Sequence, residues 1–471
     1  MGQRPGTEDE PLRVAIIGAG PAGFYAADRI LREEGVTAQV DLFDRLPTPY
    51  GLVRGGVAPD HPKIKAVTRV YERTARLEGF RFFGNVEIGR DLGVEELERH
   101  YHAILYTFGA EDDRELGIPG EDLAGCHPAS DLVGWYNAHP DFADRDFGLD
   151  RTKRVVVIGN GNVALDAARM LALDDAELRK TDIADHAIEV LDSSTVEEIV
   201  VVGRRGPAQA AFTNPEVIEL GDLEEAEVVT EPEEVALDPV SQAWIESEEA
   251  DKTSKVNVAT VQSYSERTPG TKPKTIRLRF LLSPVEILGD GTVEGIVLGR
   301  NELVEEDGSL RARDTGERET LSCEMVIRSV GYRGAPLAGV PFDSGSGTIP
   351  NRAGRVTEGP DGPPRTGHYT AGWIKRGPSG VIGTNKKCAT ETVEMLIEDV
   401  AAGDLLSPSD PSPDAIERLL AEREAGQVDF SGWEKIDLAE IGRGEPQGRP
   451  RVKFASREEL LSASGMDGSG D

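Results

Sequence analysis

Two glycine-rich stretches, and the charged residues that follow each, are where this sequence could do chemistry. The first reads Gly18-Ala19-Gly20-Pro21-Ala22-Gly23 and the second Gly159-Asn160-Gly161-Asn162-Val163-Ala164. In this spacing the first glycine permits a tight turn and the second lets a pyrophosphate approach the backbone. The third small residue lets a helix lie close on the preceding strand. The phosphates then sit at a helix N-terminus, where free N–H groups and the macrodipole favour negative charge. Asp44 stands 21 residues beyond Gly23, where an acid meets a ribose hydroxyl pair. The second unit ends its next strand not in an acid but in Arg204-Arg205. A cation pair there holds the 2′-phosphate that an acid would repel. Two unlike dinucleotides follow, FAD at the first turn and NADPH at the second. The protein's task would be to stack nicotinamide against flavin and exclude water.

The elements that must position these residues can be read around them. Residues 14–17 form a short apolar run suited to a buried parallel strand, a helical pattern starts at Gly23, and residues 39–43 form a second strand ending at Asp44. Residues 154–158 and the pattern after Gly161 repeat that arrangement. Residues 47–62 form a Pro/Gly-rich loop with few charges, the kind that carries function. A helix with a basic face follows, carrying Lys63, Lys65, Arg69, Arg73 and Arg76. Residues 80–86 and 103–108 read as strands, and Gly109 ends the second where a ligand would approach closely. Residues 275–281 and 292–298, on either side of Gly289-Asp290-Gly291, predict antiparallel strands. Residues 325–331 form another buried strand, 334–364 a crossing between domains, 368–373 a strand and 385–402 an amphipathic helix. The acidic stretch 224–251 reads as an exposed helix or loop, and the tail beyond Met466 as disordered.

Composition narrows the function classes. The chain of 471 residues is long enough for two or three domains. A net charge of −33 argues against nucleic-acid binding and against general attraction to a membrane surface. Cys126, Cys323 and Cys388 are scattered and form no Cys-x-x-Cys pair, which fits a reducing cytoplasm and excludes a redox disulfide. The N-terminus lacks an apolar signal core and no apolar run is long enough to span a bilayer, so a cytoplasmic protein is expected. No metal-ligand set is expected, and nothing in the chain sets an oligomeric state.

Four long strings go beyond a bare glycine motif. They are residues 49–62 (PYGLVRGGVAPDHP), 159–166 (GNGNVALD), 202–207 (VGRRGP) and 371–378 (AGWIKRGP). Over residues 14–454 the chain resembles the adrenodoxin-reductase type of NADPH:ferredoxin reductase, of the glutathione-reductase-like superfamily. The resemblance implies an α/β fold of two Rossmann-like domains. An NADP-binding domain, residues 110–333, would be inserted into a discontinuous FAD-binding domain made of residues 1–109 and 334–471. It also implies that FAD contacts come from Gly18, Gly20, Pro21, Ala22, Gly23, Asp44, Arg45, Gly51, Leu52, Val86 and Gly109. Gly372, Trp373, Gly380, Val381 and Ile382 would surround the isoalloxazine, where N–H donors favour the anionic reduced ring. Asn160, Gly161, Asn162, Val163, Arg204, Arg205 and Glu216 would contact NADP. His61 and Glu216 match the pair near the nicotinamide, in nicotinamide positioning and proton supply.

The implied partner is a ferredoxin or similar small iron–sulfur protein, as in electron supply to cytochrome P450 systems. Two departures bear on its docking: the family carries a basic residue where this chain has Ile218, and a net charge of −33 repels an acidic partner. Lys375, Arg376, Lys386 and Lys387 are the candidates for a local basic face. Competing readings are a flavoprotein with another acceptor (a diaphorase, the electron-input subunit of an amidotransferase or a monooxygenase) and a non-catalytic nucleotide-sensing module. The last would bind NADPH without bleaching a flavin.

Overall fold

The computed structural model describes residues 5–306 and 309–466. Two mainly parallel sheets carry the two glycine turns. The first has seven strands in the order Asn351–Arg352, Arg355–Thr357, Pro364–Thr370, Ala103–Tyr106, Leu12–Ile17, Ala38–Phe43 and Phe80–Phe83. Its central strand Leu12–Ile17 is buried at every residue and lies parallel to both neighbours, with Val14 opposite Val40 and Ala103. Such a strand is apolar wherever its side chains are not paired, and its one charge, Arg13, is neutralised by the buried Asp41 at 2.9 Å. Each fully buried Val, Leu or Ile contributes roughly 1.5–3 kcal/mol.

The second sheet has six strands, all parallel, in the order Cys126–Pro128, Met325–Arg328, Arg154–Ile158, Glu198–Val202, Lys274–Arg279 and Ala226–Thr230. A separate antiparallel ribbon joins Leu282–Leu288, Gly295–Glu306 and Ser309–Ser322. The chain thus leaves the first sheet after Tyr106, builds the second, and returns with strands 351–370 and the helix Ile382–Ala402. That helix starts three residues earlier than its sequence pattern suggests and stops at Gly403, whose φ of 83° closes it in the left-handed region.

Three expectations are corrected. Residues 275–281 do not form an antiparallel strand; Lys274–Arg279 lies parallel between Glu198–Val202 and Ala226–Thr230. The polar alternation that suggested a solvated face comes from Arg277 and Arg279, whose guanidiniums pair with Glu198, Glu231, Glu234 and Glu319. The hairpin around Gly289 and Gly291 is built instead from the two strands that follow. The acidic stretch 224–251 is not wholly exposed: Ala226–Thr230 is a buried strand, and Glu234 is a buried partner of Arg279 at 2.7 Å. The basic helix after His61 is two pieces, Pro62–Lys65 and Thr68–Ala75. Lys65 leaves its face to pair with Asp182 at 2.6 Å. The tail beyond Met466 lies outside the described residues.

Candidate active site between the two glycine turns

The first turn is shaped by close approach. Gly18 has φ of 104°, and a Cβ there would lie 2.5 Å from the Phe108 backbone; one on Gly23 would lie 2.3 Å from the carbonyl oxygen of Gly18. Gly20 and Gly109, by contrast, would meet no heavy atom within 4 Å. Open space at the second glycine, beside a helix whose Gly20 N-cap has no side-chain partner, is what a pyrophosphate needs. Asp44 reaches back to this turn: its carboxylate accepts the Ala19 and Leu46 N–H groups, both at 2.9 Å. Burial raises its pKa to about 6 against the pull of those two bonds. Arg45 turns away to Asp141 at 2.5 Å and Glu111 at 3.1 Å.

The loop after Pro47 folds over the same turn. The Tyr50 N–H donates to the carbonyl of Ala19 at 2.8 Å, with Tyr50 held at a φ of 84°. A Cβ on Gly51 would come to 3.0 Å from the Gly20 Cα. Leu52 is exposed and Val86 is buried in the core behind Phe43. From the other side Gly372 closes in, since a Cβ on it would lie 2.8 Å from the Ala22 side chain. Trp373 follows and stacks on Tyr332 with ring centroids 5.7 Å apart, its Nε1–H buried without an acceptor. Gly380 and the exposed Val381 lead into the helix at Ile382.

The second turn repeats the pattern. A Cβ on Gly159 would strike the Ser329 carbonyl at 2.0 Å, while Gly161 faces open space and caps its helix with no side chain. The Asn162 carboxamide oxygen accepts the Thr213 N–H at 2.8 Å and so ties the turn to the segment that carries Glu216. Asn160 packs beneath Gly203, and Val163 is half-buried on the first helical turn. Arg204 is exposed and Arg205 half-buried; among the described residues neither has a carboxylate within ion-pair distance. Burial and the neighbouring Arg204 push the Arg205 pKa down. Two unneutralised cations in so acidic a chain are available to an anion.

Elements from the two turns' sides meet at two places. On one side Trp373 leans on Tyr332, which follows the Ser329 that lies against Gly159. On the other, Asp60 and His61 from the loop over the first turn meet side chains from beyond the second. Arg169, one exposed face short of solvent at 2% exposure, stands between them. It donates to Asp60 at 2.6 and 3.1 Å, to Asp166 at 2.7 Å, to Glu216 at 3.1 Å and to His61 Nε2 at 3.0 Å. His61 Nδ1 lies 3.8 Å from Glu216, and its Nε2 lies 3.0 Å from Glu219. Burial, then Asp166, raises the Glu216 pKa to about 7 although Arg169 and His61 oppose the shift. His61, Glu216 and Glu219 are close enough to share a metal ion, but the Arg169 guanidinium already supplies the positive charge there.

Sequence reasoning placed His61 and Glu216 at this point and missed Arg169, Glu219 and Tyr332. A charged residue three positions from Asp166, on a helix otherwise lined by Ala167, Ala168, Met170 and Leu171, was the available signal for Arg169. Among the described residues no helix is long and apolar enough to cross a membrane.

Comparison with known proteins finds similar chains. Residues 12–200 match the family model for pyridine nucleotide-disulphide oxidoreductases. The chain is 48% identical over 454 residues to NADPH-ferredoxin reductase FprA of Mycobacterium leprae, covering 95% of this chain and 97% of that protein. It is 40% identical over 470 residues to the mitochondrial NADPH:adrenodoxin oxidoreductase of Arabidopsis thaliana, covering 96% and 95%. The solved structure of Mycobacterium tuberculosis FprA in complex with NADPH superposes with a TM-score of 0.89 at 47% identity, covering 97% of this chain and all of that one.

Proposed function

This chain belongs to the NADPH-ferredoxin reductase family, and from that premise we propose how its residues divide the work. The enzyme is an FAD-dependent oxidoreductase that draws reducing equivalents from NADPH and delivers electrons to a ferredoxin-type iron–sulfur protein. FAD, when bound, accepts a hydride and releases electrons singly.

The residues present fit such a group. Gly20 and Gly109 leave room, and the buried Trp373 Nε1–H lacks an acceptor. Gly18, Gly20, Pro21, Ala22 and Gly23 would hold its phosphates, Asp44 the ribose, and Gly372, Trp373, Gly380, Val381 and Ile382 the ring. Gly161, Asn162 and Val163 would bind the NADP pyrophosphate, with Arg204 and Arg205 on the 2′-phosphate. His61 and Glu216 orient the nicotinamide, and Glu216, with its raised pKa, can carry a proton at neutral pH. The domain division at residues 109/110 and 333/334 accords with the chain leaving and rejoining the first sheet. We place the protein in the cytoplasm on its free cysteines.

The observation that carries this reading is the meeting of Asp60 and His61, from the first turn's side, with Arg169 and Glu216 from the second's. Cytochrome c reduction by NADPH, measured with and without added ferredoxin, tests the acceptor. A rate that needs ferredoxin and weakens with salt is expected. An equal rate without it would mark a plain diaphorase.

A further inference from the structure

The helical run after His61 carries cations that neither glycine turn uses. Its exposed positions include Lys63 on the first helical piece, Ala66 between the pieces, Arg69 and Arg73 on one face of the second piece, and Arg76 just past its end. The opposite face fixes that orientation. Tyr71 is buried against the Phe24 ring, with centroids 5.0 Å apart, and the Thr74 hydroxyl donates to Asp28 at 3.2 Å.

Among the described residues no carboxylate lies within ion-pair distance of Lys63, Arg69 or Arg73, while Arg76 reaches the exposed Glu434 at 3.3 Å. In a chain of net charge −33 such a stripe is an exception. Its first end lies at the seam between the two halves, where His61 contacts Glu219 at 3.0 Å and Lys65 contacts Asp182 at 2.6 Å. Two exposed apolar side chains adjoin that seam, Ile64 and Ile218, each 42% exposed. An apolar spot edged by positive charge has the composition of a protein-docking face.

The basic cluster expected from sequence is partly tied down: Lys375 donates to Thr392 at 3.0 Å and Arg376 to Asn385 at 2.9 Å. Lys386 stays exposed, and so does Lys387 at 3.9 Å from Glu391. The stripe after His61 carries more unpaired cations among the described residues and adjoins the seam.

We propose that Lys63, Arg69 and Arg73, with Ile64 and Ile218 at the seam, form the docking face for an acidic iron–sulfur protein. The proposal rests on the ferredoxin-reductase reading above. The stripe and the apolar pair make a short, localised positive surface in a chain of net charge −33, which complements a compact acidic patch on a partner protein. Successive acceptor molecules would dock here, each taking one of the two electrons that an NADPH delivers.

The test uses the holoenzyme, an acidic ferredoxin, and the triple variant Lys63→Glu, Arg69→Glu, Arg73→Glu. We expect KM for ferredoxin to rise at least tenfold at low ionic strength and its salt dependence to flatten. The ferricyanide rate and the flavin absorbance should be unchanged, which shows an intact fold and an intact NADPH half-reaction. The control pair Lys386→Glu, Lys387→Glu should leave KM alone. An unmoved KM and salt slope in the triple variant overturns the docking face alone, as does a loss confined to the control pair. If the unaltered enzyme bleaches its flavin and reduces ferricyanide but no ferredoxin, the acceptor reading falls and this proposal with it.

Discussion

Nε2 of His61 lies 3.0 Å from the Arg169 guanidinium and 3.0 Å from the Glu219 carboxylate. One nitrogen cannot accept from the first and donate to the second at once. The ring's tautomer selects between the two partners, so Arg169 and Glu219 compete for one nitrogen where the two halves of the chain meet.

Replacing Arg169 should affect both stability and turnover. Arg169→Ala leaves Asp60, Asp166 and Glu216 facing one another in a buried setting, a loss on the order of 3–5 kcal/mol. Arg169→Lys keeps the charge but cannot form the forked bonds to Asp60, so its rescue should be partial. We expect kcat for NADPH-dependent ferricyanide reduction to fall at least tenfold in the alanine variant, with KM for NADPH moving less. Stopped-flow flavin reduction and thermal melts check this together.

Glu216 makes stability depend on pH in a definite direction. Its pKa in the fold, about 7, lies above the ordinary 4.5, so the folded protein binds the proton more tightly than the unfolded chain. The stabilisation is complete below pH 4.5 and is lost as pH rises through about 7. Glu216→Gln cannot titrate. Its melting temperature should therefore fall less than that of the unaltered protein between pH 5 and 7.5, measured as paired melts across that range.

Coenzyme choice should reside in Arg204 and Arg205. Each charge-assisted contact to a phosphate contributes about 1.5–3 kcal/mol. The double change to alanine should lower the ratio of kcat/KM for NADPH over NADH by at least about 100-fold, with the NADH value little changed. Steady-state kinetics with both coenzymes reads the ratio directly, and an unchanged ratio removes the assignment.

Asp182 ties the halves together away from the cofactors. Its carboxylate meets Lys65 at 2.6 Å and the buried Lys453 at 3.3 Å. Lys453 and Lys65 hold the Asp182 pKa down to about 2 despite burial, and burial pushes that of Lys453 well below the ordinary lysine range. Because the acid's pKa is depressed, its stabilisation is present above pH 3.8 and lost as pH falls through about 2. Asp182→Asn at pH 7 should cost about 3–5 kcal/mol by urea unfolding, since Lys65 and the buried Lys453 then lose their shared anion.

Much of this was legible in the chain because local rules and global fold agree there. The runs at Val14 and Val155 stop at glycines that only a tight turn explains, and Asp44 and Arg204 fall at strand ends. Lys274–Arg279 was misread because alternation cannot distinguish a solvated side chain from one whose charge is paired inside the fold. Arg169 went unmarked for a related reason: an arginine on an amphipathic helix reads as solvent-facing. Its partners Asp60 and Glu216 lie 109 and 47 residues away along the chain, and no local spacing connects them.

The central claim is that the two turns serve one mouth, and anaerobic titration of the FAD-loaded protein with NADPH tests it most directly. We expect the visible flavin absorbance to bleach with about one equivalent of NADPH, and added ferredoxin to restore it. NADPH that binds, as shown by a raised melting temperature, yet leaves that absorbance unchanged would contradict the account.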